Sequence, residues 1–91
     1  MNDFIQLTET YKQRCVEFCE DNGYKNTSNH IINIMVSIMM TRDNVLSGGS
    51  FVKAVVNNSL YEAINYADRE CYEYLKLLVL TNRNCFINEE F

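Results

Sequence analysis

The stretch IINIMVSIMM, Ile31 to Met40, limits the fold more than any other feature of the chain. It is the longest apolar run, yet Asn33 and Ser37 interrupt it and it is too short to cross a bilayer. Its β-branched residues invite a buried strand. The polar positions argue otherwise. Asn29, Asn33, Ser37 and Thr41 fall four apart, which draws one narrow polar strip along an otherwise apolar helical cylinder. A strand would gather Asn33, Ser37 and Thr41 on one face but leave Ile32 and Met35 on opposite faces, both demanding burial. The segment therefore predicts a helix, capped by Thr27 or Ser28. So broad an apolar surface, with the soft packers Met35, Met39 and Met40, is hard to cover within 91 residues. Either this helix is central and wrapped by the rest, or a second copy covers part of it. A homodimer is the favoured expectation.

The absence of proline and the presence of only three glycines favour helices throughout. Before the apolar run, Phe4, Leu7, Tyr11, Cys15 and Phe18 recur at three- and four-residue steps, with Ile5, Thr8 and Cys19 beside them. This predicts a helix over about residues 3–21, capped by Asp3 and ended by Gly23. After Ser47-Gly48-Gly49, Phe51, Ala54 and Val55 mark a short helix that stops near Asn57-Asn58. Ser59 and Glu62 then have capping-box spacing. Leu60, Ala63, Ile64 and Ala67 form the expected buried face of a second short helix. Asp68 can cap a third, with Cys71, Tyr74, Leu75 and Leu78 inward. The expectation is an all-α bundle of about five helices, two longer and three shorter, forming one domain over residues 1–91.

Charge narrows the partners. The formal net charge of −4, with cations spread along the chain, speaks against nucleic acid or an anionic membrane surface. The acidity accords first with ordinary solubility; the sharper reading is an acidic surface that competes for a basic site on another protein. The N-terminus has no basic region followed by an apolar one, so the chain reads as cytoplasmic and its four cysteines as reduced thiols.

Chemistry-bearing patterns are weak. Gly48-Gly49-Ser50 resembles a phosphate loop only superficially, because Lys53 is followed by no hydroxyl residue and the glycine spacing matches neither mononucleotide nor dinucleotide fingerprints. What remains is an anion held by free amides at a helix start, with Gly48, Gly49, Ser50 and Lys53 as the candidate ligand-binding set. Cys15 and Cys19 lie one helical turn apart and would need two more ligands from Cys71, Cys85 or His30; buried thiols are the expectation, with no metal and no cofactor. His30, the only histidine, has no nucleophile signature beside it, so no catalytic residue is assigned and the chain reads as a non-enzyme. The pair Asp68 and Glu70 suits a helix N-terminus, whereas Glu89 and Glu90 belong to the tail.

Gly49, Phe51, Ala54, Val55, Asn58, Leu60, Ala63, Ala67 and Asp68, in this order and spacing, resemble a group of small, largely uncharacterised proteins encoded by phages and prophages. The likeness covers about the second half of the chain. It departs at Ser47-Gly48, where a proline is expected, at Ser50, where glycine is common, and at Ser59, where aspartate often stands. The resemblance implies a phage accessory role and assigns no activity to particular residues.

The tyrosines carry more information. On the helices after Ser59, the face opposite Leu60, Ala63 and Ala67 carries Tyr61, Asn65, Arg69, Tyr72 and Lys76, flanked by Tyr66 and Glu73. Tyrosine and arginine on an exposed face are what protein interfaces prefer. The leading expectation is a protein that binds and blocks a host protein, for which a defence component is one candidate. The alternative is a binder of an anionic metabolite or nucleotide at Gly48–Phe51.

Overall fold

A computed structural model describes residues 2–87. Six helices follow in order: α1 (Asn2–Asp21), α2 (Asn29–Arg42), α3 (Ser50–Val56), α4 (Leu60–Tyr66), α5 (Arg69–Glu73) and α6 (Leu75–Asn84). No strand occurs among the described residues, and the class is all-α as expected. One boundary differs. The helix expected after Asp68 is divided at Tyr74 into α5 and α6. No glycine or proline marks that bend; the Tyr74 ring leans on Tyr24 there, with centroids 6.0 Å apart.

Three helices stop in the same way. Gly23, Asn44 and Asn58 take the left-handed conformation, with φ of 82°, 65° and 60°. In each case the next amide returns to a carbonyl five residues back: Tyr24 to Cys19 at 2.8 Å, Val45 to Met40 at 2.7 Å and Ser59 to Ala54 at 2.8 Å. These bonds satisfy carbonyls that the helix itself leaves open. The starts are more varied. Ser28, rather than Thr27, caps α2 by accepting from the Ile31 amide at 3.2 Å. Asp68 caps α5 by accepting from the Cys71 amide at 2.7 Å.

Two expected caps are corrected. Asp3 lies inside the first turn of α1, where its charge still suits the positive end of the helix dipole. Ser59 precedes α4 but makes no side-chain cap bond, so the capping box with Glu62 does not form. A capping box needs the serine amide free for the glutamate, and that amide is already spent on the Ala54 carbonyl that closes α3.

The core is built around α2. Ile31, Ile32, Met35, Val36, Ile38, Met39 and Met40 are all buried. Tyr11, Cys15, Phe18 and Cys19 of α1 belong to the same core, as do Val52, Ala54 and Val55 of α3 and Leu77, Leu78 and Thr81 of α6. Each buried isoleucine, leucine, valine, methionine or phenylalanine among them contributes about 1.5–3 kcal/mol of gross burial energy. Of the two ways to cover the apolar helix, the chain supplies the central, wrapped one. The argument for a second copy at α2 thereby loses its premise.

The inward stripe of α1 is shorter than its periodicity suggests. Phe4, Ile5 and Leu7 are exposed, while Tyr11, Cys15, Phe18 and Cys19 are buried. A 20-residue helix runs about 30 Å, whereas the 14 residues of α2 run about 21 Å, so the first turns of α1 outreach their support.

The polar strip of α2 has a structural use. Asn29 and Asn33 face solvent, but Ser37 and Thr41 meet the chain entering α3. The Gly48 amide donates to Thr41 Oγ1 at 3.0 Å. A Cβ on Gly48 would stand 2.6 Å from Val52 Cγ1 and 3.0 Å from Ser37 Oγ, whereas one on Gly49 would meet nothing within 4 Å. Gly48 is therefore a glycine of close approach. At the end of the strip, Arg42 Nη1 donates to the carbonyls of Thr81, Asn82 and Cys85 at 3.2, 3.0 and 2.7 Å, capping α6. Its guanidinium also lies 4.5 Å from the Phe86 ring centre and pairs with Asp43 at 2.8 Å. Tyr11 donates to the same carboxylate at 2.9 Å, joining α1 to this knot.

Substituting the two adjacent glycines separates packing from turn chemistry. Gly48→Ala is expected to lower stability by about 1–3 kcal/mol in urea unfolding, through overpacking against Val52. Gly49→Ala is expected to stay within about 0.5 kcal/mol of the parent.

Candidate functional site

The surface of α4 departs most from the pattern of a self-contained domain. Leu60 and Ile64, expected inward, are 63% and 45% exposed, and Tyr61 between them is 80% exposed. The reason is geometric. Ala63 alone is buried from this helix, with Ala67 half-buried beyond its end. Ile64 stacks on Leu60 four residues back and on Tyr61 three residues back, so the three form one strip, with Leu60 at its edge nearest Ala63 and Tyr61 on the far side. The small alanine lets α4 lie close to α3, which leaves the larger apolar residues outside.

Beside this ridge is an apolar recess of about 130 Å³, lined by Ala54, Val55, Leu60, Ala63 and Val79 among others. Small-molecule sites usually occupy about 300–1,000 Å³. The recess is too small for such a ligand and suits the tip of one apolar side chain.

The predicted tyrosine–arginine residues are all exposed: Tyr61 and Asn65 on α4, Arg69 and Tyr72 on α5, and Lys76 on α6. They are carried by three helices rather than one continuous face, since the backbone is extended at Ala67 and bends at Tyr74. Arg69 Nε pairs with Glu73 Oε2 at 3.5 Å in open solvent, an arrangement that contributes little to stability. The signal that sequence reading missed is Leu60 and Ile64 joining this surface. The alanines at 63 and 67, against larger residues at 60 and 64, were the available clue.

The candidate ligand set at Gly48, Gly49, Ser50 and Lys53 is only partly free. Ser50 and Lys53 are exposed and Gly49 stands at the N-cap of α3 with no side-chain bond, but the Gly48 amide is committed to Thr41. A larger recess of about 320 Å³ lies elsewhere, between α1 and the following loop, with Lys12, Tyr24, Lys25 and Thr27 on its walls.

The thiols divide into two groups. Cys15 and Cys85 each place Sγ against Met39 Sδ, at 3.5 and 3.6 Å, and Cys19 meets Met35 Sδ at 3.5 Å. A hydrogen bond with Cys85, reinforced by burial, pushes the Cys15 thiol well above its ordinary range. Burial also raises Cys19. Cys15 and Cys19 are therefore poor nucleophiles.

Cys71 stands apart from them. Its Sγ, a ring nitrogen of His30 and a carboxylate oxygen of Asp68 lie within 4.8 Å of one another. His30 Nε2 is 2.9 Å from Asp68 Oδ2, and Ser28 Oγ donates to Glu70 Oε2 at 2.6 Å. The start of α2 is thus clasped to the start of α5. The Cys71 amide, followed by His30, holds the Asp68 carboxyl below the usual carboxylate range. Burial, followed by the Asp68 carboxylate, pushes the Cys71 thiol up to about 12.

No family model, curated protein or solved structure matches the chain. Among the described residues, no helix is long and apolar enough to cross a membrane.

Because Asp68 is depressed in the folded state, its contribution is present above the unfolded carboxyl value near 4 and is lost as pH falls through the folded value. Asp68→Asn should therefore lower Tm near neutral pH, and the gap to the parent should narrow as pH drops below about 4. A scan of Tm against pH for both proteins reads this directly.

Proposed function

We propose that this chain is a non-enzymatic protein-binding module whose contact surface centres on α4. Leu60, Tyr61 and Ile64 form its apolar anchor, and Asn65, Arg69, Tyr72 and Lys76 extend it along α5 and the start of α6. The observation that carries this reading is the exposure of four large apolar or aromatic side chains, Leu60, Tyr61, Ile64 and Tyr66, on one seven-residue helix. Isolated exposed apolar residues are ordinary, but a contiguous ridge beside an apolar recess marks an interaction site. Tyrosine and arginine around it add rigid contact area and hydrogen bonds.

The partner is a host protein, met in the host cytoplasm and blocked by steric cover. The phage-type accessory role follows from the resemblance in the second half of the chain. A defence component as the target is the narrowest form of the proposal. The acidic balance of the chain favours a basic site on that partner. Self-association draws on this same α4 ridge, since α2 is already covered within the chain.

The ligand-binding alternative at Gly48–Phe51 is less favoured, because packing against Val52 and Ser37 already accounts for Gly48 and its amide is taken. Affinity capture from a bacterial lysate, with Leu60→Ser/Tyr61→Ala and Arg69→Ala/Tyr72→Ala compared with the parent, tests the proposal. Loss of about 2 kcal/mol at an interface centre corresponds to roughly 30-fold weaker binding. The first pair should abolish capture and the second reduce it, with helical circular dichroism unchanged. Capture that survives in both refutes the surface, and a saturable rise in Tm with nucleotide would favour the alternative.

A further inference from the structure

We propose that His30, Asp68 and Cys71 form a zinc-binding site that holds one Zn²⁺ through the imidazole, one carboxylate oxygen and the thiolate sulfur, leaving a fourth position to water. The three donor atoms lie within 4.8 Å of one another, and His30 Nε2 is already 2.9 Å from Asp68 Oδ2. Zinc bonds of about 2.0–2.3 Å in a tetrahedron place neighbouring donors roughly 3.3–3.8 Å apart. The imidazole and carboxylate therefore separate by about half an ångström and the sulfur approaches, movements within reach of side-chain rotation.

The donor chemistry selects the ion. Calcium and magnesium take oxygen ligands, whereas one sulfur, one imidazole nitrogen and one carboxylate together suit zinc. Thiolate and carboxylate also bring two negative charges to a dication, so the bound centre is neutral. Binding replaces the Cys71 S–H bond with a zinc–sulfur bond and releases that proton to solvent, while the proton that His30 Nε2 presents to Asp68 moves to Nδ1 and frees the Nε2 lone pair.

The surroundings fix the ligands before an ion arrives. Asp68 Oδ1 accepts the Cys71 amide, which sets the relation between those two residues within one turn. Ser28 caps α2 and donates to Glu70, which holds the turn carrying His30 against the turn carrying Cys71. His30 and Asp68 are exposed while Cys71 is buried, so the site has an open mouth and a sulfur floor.

A nucleophilic cysteine is the competing use of the same three residues. It requires the imidazole seated on the sulfur as its base, whereas His30 Nε2 lies 2.9 Å from Asp68 Oδ2.

Titration of the metal-free full chain with cobalt(II) chloride, a coloured stand-in for zinc, tests the site. The expected result is a thiolate-to-cobalt charge-transfer band that saturates at one ion per chain and disappears when zinc is added. Cys71→Ser should lose the band, and His30→Gln should weaken cobalt binding by more than about ten-fold with helical content unchanged. Absence of the band at saturating cobalt, its survival in Cys71→Ser, or undiminished affinity in His30→Gln would each overturn the proposal. Because His30 is exposed, its variant decides the matter even if the Cys71 variant does not fold.

Discussion

Burial of α2 on nearly every side is the constraint that orders the rest of the molecule. Seven of its fourteen residues are buried, and the neighbouring elements are shaped by what that cover requires. Helix α1 contributes Tyr11, Cys15, Phe18 and Cys19, a stripe in which small thiols meet the methionines of α2 sulfur to sulfur. At the start of α3, a Cβ at position 48 would collide with Val52 of the same helix and press on Ser37 of α2, so glycine stands where the two helices meet. Helix α6 seals the remaining side with Leu77, Leu78 and the buried Thr81, whose own hydroxyl is satisfied by donating to the Leu77 carbonyl at 2.8 Å.

Polar groups pin the same helix at both ends. At its start, Ser28 and His30 engage Glu70 and Asp68, so acidic residues stand beside two helix N-termini where the dipoles favour them. At its finish, Arg42 serves two helices at once, standing at the C-terminus of α2 while capping the last carbonyls of α6. Burial raises the Asp43 carboxyl, but hydrogen bonds from Arg42 and Tyr11 outweigh it and hold the group below its ordinary value. Non-directional burial supplies most of the driving force here, and these two clasps fix which elements meet.

What the sequence made legible was local and periodic. The four-residue spacing of Asn29, Asn33, Ser37 and Thr41 identified α2 as a helix, and Gly23, Asn57-Asn58 and Asp68 marked stops and starts that the structure contains. What it hid was settled by contacts distant in sequence. The capping box at Ser59 fails because Ala54 claims the amide first. The bend at Tyr74 has no local breaker. Leu60 and Ile64 look like core from periodicity, yet they are exposed because α4 reaches the core through Ala63 alone. The meeting of His30 with Asp68 and Cys71 spans about forty residues and has no spacing motif to announce it. The result is a chain whose apolar excess is displaced from the helix that carries most of it to a short one that carries little.

Amide hydrogen exchange of α2, followed at two protein concentrations roughly ten-fold apart, tests this arrangement most directly. If the chain covers its own central helix, the amides from Met35 to Met40 exchange more slowly than those of α4 and α5, and at the same rate at both concentrations. Fast exchange across that segment, or protection that grows with concentration, would contradict it.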